Sequence, residues 1–491
     1  MSVILVANVG NRDITLNVGD ASSCWVSFDK YEGGSEAQRF LGCQQEGTRA
    51  IAARLADRLA ELQDRVAMPL LEPAIRLALA SASRIDDLVL FATDQPAAAG
   101  EHRDWDTIES ARLIERLVQG GRAAVARVSI IPIAFNPSEH DRAFTHVGEA
   151  LASRFPAERV DRLFATIKGG VPAFNAALRE QVIGLYGARA RLIETQEPSR
   201  EQRLNGQHGT ARLVDTWPFR RHAILRLVRA LLDRYDYGGV QRVLESEAAD
   251  DSTLAAFLGH AVDRMNLDFD GASRALAAFG SGRPHQWKIS AGQAWGAQRL
   301  EEVAFTAEIL LRRGDLIGFL ARAASFVETC RRQLVHAITG FRIEKALRKE
   351  EIPRAQSSLV AALSAKLGDG SHWPASEPLF NAILEWARQT GEPTRVSQID
   401  ELRPLVGRLG SLEKLRNEAL HQLHGVSMSD LRRALSNPEQ AFPELTRVII
   451  DKMRTVELSE RRPSHLVRNV YDDVNEAINE RLAAFAPGPP Q

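Results

Sequence analysis

The sequence predicts two unlike halves, an α/β domain with a mostly parallel sheet and then an all-helical region. Three observations carry this. Within the first 195 residues, short apolar runs rich in β-branched residues alternate with stretches of helical period. A polar, turn-rich stretch follows at 196–211 (QEPSREQRLNGQHGTA). Beyond it no strand series recurs, and amphipathic helical patterns run almost to the end.

Residues 3–9 (VILVANV) read as a buried strand that ends in the turn Gly10-Asn11-Arg12-Asp13. Residues 14–28 suit a small hairpin with its turn at 17–20, and 47–62 and 70–80 suit helices. A strand at 88–92 ends at Thr93-Asp94-Gln95, and a loop with His102 and Arg103 leads through Trp105-Asp106-Thr107 into a helix to 118. Strands at 125–133, 163–167 and 190–195 alternate with helices at 143–154 and 173–186. Pro172 suits the first turn of the last of these helices. In the second half, helices are expected at 219–235, 240–247, from 293 to 332 in two pieces, and at 382–390, 402–419, 445–456 and 466–485. Breaks are expected at 279–286 and 367–374. Tyr235 and Tyr237, flanking Asp236, read as packing residues, and the tail 486–491 as disordered.

At 491 residues the chain can bury two or three cores. Its net charge of −1 gives no overall basic signal, so any contact with RNA must be local. Cys24, Cys43 and Cys330 are scattered, without ligand spacing, and read as thiols of a reducing compartment. Neither a signal peptide nor an apolar run of membrane-span length is visible, so a cytoplasmic location without membrane contact is expected.

In a parallel sheet the loops after the strands gather at the carboxyl edge, where such folds bind ligands. Gly10, Gly169 and Gly170 fall in those loops, and glycines there let backbone N–H groups approach phosphates. The loop NVGNRD lacks the G-x-G-x-x-G of a dinucleotide oxidoreductase, and no G-K-[ST] of a P-loop occurs. VANVGNRDI, LFATDQ with DWDTIESARLI, and ATIKGGVPAFNAAL resemble the ligand-binding motifs of CARF domains, with Val171 where Thr is more usual. These domains are Rossmann-like, pair as dimers and bind cyclic oligoadenylates across the two-fold axis. The resemblance marks Gly10, Asn11, Arg12, Thr93, Asp94 and Gln95 as ligand-binding, together with Lys168, Gly169, Gly170, Pro172 and Asn175. Lys168 is the expected phosphate contact. A ring shared by two identical protomers needs an even number of units, so cyclic tetra- or hexa-adenylate is the expected activator. Asn11, Arg12 and His102 also permit the sensor to cleave its own ligand.

RNEALHQLHGVS (416–427) carries the second candidate site. Leu412, Leu415, Ala419 and Leu423 form an apolar stripe, Gly425 is a stop signal, and Ser427 to Asp430 has the form of a capping box. Arg416 and His421 lie roughly 140° apart around a straight helix, whereas Asn417 and His421 share a face. That geometry suits a site completed by a second copy of the helix. Two other Arg–His pairs have this spacing: Arg203 with His208, in RLNGQH, where Asn-Gly reads as a turn, and Arg331 with His336, in a helical stretch that lacks the Asn. RNEALH resembles the Arg-to-His signature of HEPN ribonuclease domains, and the following GVS resembles those of CRISPR-associated ancillary ribonucleases.

Together the resemblances cover the chain in the order of the CARF–HEPN ribonucleases of type III CRISPR systems. They imply a Rossmann-like α/β CARF sensor at 1–195, a linker and helical middle segment at 196–290, and an all-α HEPN domain at 291–485. The implied activity is metal-independent cleavage of single-stranded RNA by a homodimer, switched on by cyclic oligoadenylate, without a cofactor. His421 would be general acid/base, Arg416 the cation for the transition state and Asn417 an orienting residue. The alternative is a nucleotide-sensing regulator that does no chemistry.

Overall fold

A computed structural model describes the chain except for residues 20–23, 32, 45–46, 200, 203–208, 248–250, 278–286, 288–296, 422–424, 459–468 and 485–491. The expected break at 279–286, the Arg203–His208 pair, Leu423 and the tail lie outside the described residues. The chain forms two compact units, Met1–Leu225 with Leu244–Ala249, and Arg226–Val243 with Asp250–Phe485.

The first unit is built on β1 (Ser2–Asn8), whose Ile4, Leu5 and Val6 are fully buried. A small antiparallel sheet follows, with β2 (Thr15–Asn17) between β3 (Trp25–Ser27) and β4 (Val66–Ala67). The main sheet continues with β5 (Asp87–Thr93), β6 (Val128–Ile133), β7 (Val160–Thr166), β8 (Ala190–Gln196) and β9 (Thr210–Val214). Its order is β6-β5-β1-β7-β8-β9, parallel except for the β8–β9 pair. In register, Leu5 lies beside Leu88 on one side and Phe164 on the other.

Because side chains alternate along a strand, this central sheet feeds two cores. Leu5, Leu88 and Leu90 pack against the helices Thr48–Asp57, Leu71–Ala82 and Ile108–Leu117. Ile4, Val6, Val89 and Phe91 pack against His140–Arg154 and Pro172–Tyr186. The strand order reverses at β1, so the β1 and β7 loops flank the switch point where doubly wound sheets bind ligands.

β9 lies partly in the stretch expected to be a linker. Its sequence TARLV alternates polar and apolar residues on a sheet edge, and no long apolar run betrays it. Two further strands, β10 (Ala346–Arg348) and β11 (His372–Pro374), pair antiparallel in the second unit, where 367–374 reads as loop.

The second unit is otherwise helical. Ala297–Arg312 and Leu316–Thr339 pack with Glu377–Thr390, Pro393–Arg408, Gly410–His421 and Pro438–Leu458 around one core. Phe319 and Phe326 meet Phe442 there, with ring centroids 5.0 and 6.4 Å apart. The single helix expected at 402–419 is two, because the chain turns at Leu409 beside Gly407 and Gly410 to bury both Leu409 and Leu412. Tyr235 and Tyr237 do pack. The Tyr235 hydroxyl donates to Asp472, and Tyr237 stacks on Tyr471 at 6.3 Å. Among the described residues no helix is long and apolar enough to cross a membrane.

Candidate ligand pocket and candidate catalytic helix

At the switch point the β1 loop and the β7 loop touch backbone to backbone. A Cβ on Gly10 would lie 2.3 Å from the Gly170 nitrogen. Gly169 and Gly170 have φ of 105° and 61°, the left-handed region that favours glycine. A Cβ on Gly170 would also lie 2.4 Å from the Asn8 amide nitrogen. The loop is held from below by two amides. Asn8 Nδ2 donates to Gly169 O at 3.3 Å and to Asn175 Oδ1 at 3.0 Å, and Asn175 Nδ2 donates to Gly169 O at 2.5 Å. The Gly10 N–H donates to Asp13 Oδ2 at 2.5 Å. Asp13 is buried, and burial pushes its carboxyl up to about 7; the Gly10 hydrogen bond opposes this and Glu197 adds to it.

These loops open onto a cavity of about 840 Å³. Gly10, Asn11, Arg12, Thr93, Gln95, Gly169, Gly170 and Pro172 line it, and so does His102. Three expected ligand residues are placed otherwise. Asn175 is spent on the loop itself. Asp94 turns to Arg49, 2.9 Å away. Lys168 lines a smaller adjoining cavity of about 350 Å³ and lies 3.8 Å from Glu194.

Sequence reading missed the polar supports. Asp106, 1 % exposed, accepts from the Gln95 N–H (2.6 Å) and from Gln95 Nε2 (3.0 Å), and sits 3.5 Å from Arg49. Thr93 and Thr107 bond reciprocally, each N–H donating to the other's hydroxyl. Arg12 lies 3.3 Å from Glu197 and 3.8 Å from Asp29, and both acids line the cavity. The cavity is thus lined by the glycine-loop backbone, amides, hydroxyls, one guanidinium and the carboxylates of Asp13, Asp29, Asp106 and Glu197, with Trp105 as an aromatic wall. That set suits a nucleotide with its phosphates at the glycine loops.

In the second unit, Gly410–His421 carries the other candidate residues, and His421 is its last described residue. Asn417 and His421 are exposed and share a face with Leu420, itself 43 % exposed. Arg416 is half-buried, and its Nε is buried without a hydrogen-bond partner among the described residues. The helix is anchored by Arg331, which lies 2.6 Å from Glu413 and 2.9 Å from Glu377. The Arg331–His336 pair therefore belongs to helix packing, with Arg331 holding the candidate helix in place. The capping box is present as expected, Ser427 accepting from the Asp430 N–H and Asp430 from the Ser427 N–H. Among the described residues, no group of three or more His, Cys, Asp or Glu side chains could hold a metal ion.

A doubly wound α/β unit followed by a helical unit is the order of parts expected from the sequence. No protein-family model and no curated protein matches the chain. Among solved structures it is similar to Enterococcus italicus Csm6 bound to cyclic hexa-2′-fluoro-hexa-dAMP. The TM-score is 0.58 at 13 % identity, covering 98 % of this chain and 100 % of that one. The chain thus has a Csm6-like fold along nearly its whole length, which bears out the expected fold class and the order of its two parts.

Proposed function

We propose that the chain is a homodimeric endoribonuclease of type III CRISPR defence, switched on by a cyclic oligoadenylate bound at the glycine loops. The observation that carries this is the contact of Gly10 with Gly170 at the sheet's switch point. It leaves no room for a Cβ, so the backbone of both loops lines a large polar cavity. The neighbouring Csm6 structure, of the same fold, holds a cyclic hexa-adenylate analogue. Asn11, Arg12 and His102 line the cavity, so ligand turnover by the sensor falls within the same proposal.

The chemistry is assigned to the helix Gly410–His421. The 2′-hydroxyl of the RNA attacks the adjacent phosphorus. His421 moves the proton as general acid or base, and Arg416 stabilises charge on the phosphoryl oxygens. Asn417 orients His421 or the phosphate. The orphaned Nε of Arg416 and the exposed Asn417–Leu420–His421 face fit a site completed by a second copy of the helix.

Because the nucleophile belongs to the substrate, cleavage is expected to survive EDTA and to leave 2′,3′-cyclic phosphate ends. Mass spectrometry of the fragments checks this. Free 3′-hydroxyl ends would point to a metal-bound water and sink the assignment. RNA left intact in the presence of bound ligand would favour the regulator without chemistry.

A further inference from the structure

Glu197 stands between two cavities. It lines the large cavity with Arg12 and the smaller one with Lys168 and Arg179. The two also share Gly169, Gly170 and Pro172, so Glu197 divides the space over the glycine loop. It lies one residue beyond the end of β8, outside the strand hydrogen bonds. Its carboxylate lies 3.3 Å from Arg12, and the two side chains are 41 % and 38 % exposed. Arg179 rests over the Phe219 ring at 5.4 Å, which keeps its guanidinium near the smaller cavity.

This arrangement is odd for a phosphate site. An anion entering the large cavity meets Asp29 and Glu197, which already occupy Arg12. We propose that the Glu197 carboxylate is a resident stand-in for a ligand phosphate, and that an incoming phosphate displaces it from Arg12. With Glu197 swung aside, the two cavities join. The ligand then gains Lys168 and Arg179 as a second anion subsite beside the glycine loop. Displacement is cheap, because a half-exposed ion pair holds weakly and no strand bond breaks. The competition sets a threshold, so that only a ligand with several phosphates opens the divided site. This inference rests on reading the pocket as an oligoadenylate site and adds the regulation of that site.

The test measures half-saturating concentrations of cyclic tetra- and hexa-adenylate for the full chain and three variants. Glu197→Gln is expected to bind about five-fold more tightly, about 1 kcal/mol. Arg179→Gln should bind more weakly by a similar factor. Glu180→Gln removes a carboxylate beside Arg179 that lines neither cavity, and should be nearly silent. A parallel arm follows thermal stability with inorganic tripolyphosphate, which should stabilise Glu197→Gln more than the native chain. If oligoadenylate binds and Glu197→Gln is no tighter than Glu180→Gln, the stand-in role is overturned while the ligand reading survives. If no oligoadenylate binds but tripolyphosphate favours Glu197→Gln, the stand-in role holds and the ligand reading falls. If no oligoadenylate binds and tripolyphosphate shows no preference for Glu197→Gln, both are overturned.

Discussion

His421→Ala is expected to lower RNA cleavage by roughly 10²–10⁴-fold, the usual cost of removing a general acid or base. The side chain is exposed at the last described turn of Gly410–His421, so its truncation leaves no cavity. Folding, dimerisation and ligand binding should therefore persist, and the loss should appear in the cleavage rate alone. His336→Ala is the matched control, since that residue sits on the packed helix Leu316–Thr339 and carries no assigned chemistry. A single-turnover assay at saturating activator separates the two. Comparable rates for native protein and His421→Ala would remove His421 from the mechanism.

Gly170→Ala should raise the activator concentration needed for half-maximal cleavage by about 100-fold. Left-handed backbone with a Cβ costs about 1–2 kcal/mol, and losing the Asn8 bond that props the loop costs about 1 more. If the loop relaxes away from its binding shape, the ligand must restore it, and about 2.7 kcal/mol corresponds to that factor. Gly42→Ala has similar backbone strain, at φ 66°, but nothing lies within 4 Å of its Cβ and it does not line the cavity. It should leave activation nearly unchanged. Cleavage by Gly170→Ala should recover at high activator, because the chemistry is assigned to the other unit. Lys168→Ala should act more weakly, since Lys168 is 47 % exposed and already faces Glu194.

The sheet is legible because β1 and β5 are buried on both faces and read as apolar runs, as does β7 from Leu163 to Ala165. Their following loops fall at one edge, so the residue order alone places Gly10, Thr93, Gly169 and Gly170 together, and all four line the cavity. The two-residue β4 and the edge strand β9 carried no such run. What the residue order hides is pairing at a distance. Arg49 and Asp106 meet across 57 positions, and Arg12 and Glu197 across 185. Nothing local marks those acids as partners. The roles of Asn175 and Arg331 were hidden for the same reason. Each reads as a plausible site or chance residue, and each is a brace whose target lies in another element or another turn. Local chemistry was legible where both partners are close in sequence, as in the Ser427–Asp430 capping box.

A nucleotide bound in the first unit is expected to control the cleavage assigned to the second. The most direct test is the cleavage rate of a fluorogenic single-stranded RNA against added cyclic tetra-adenylate, cyclic hexa-adenylate and linear oligoadenylate. A ring that shares the two-fold axis of a dimer presents the same phosphates to both copies of Gly10 and Gly169-Gly170, and the ligand must favour one dimer arrangement to change the rate. The expected result is a strong rise with one of the two cyclic compounds and little or none with the linear one. A rate that none of the three changes would contradict the sensor role of the first unit.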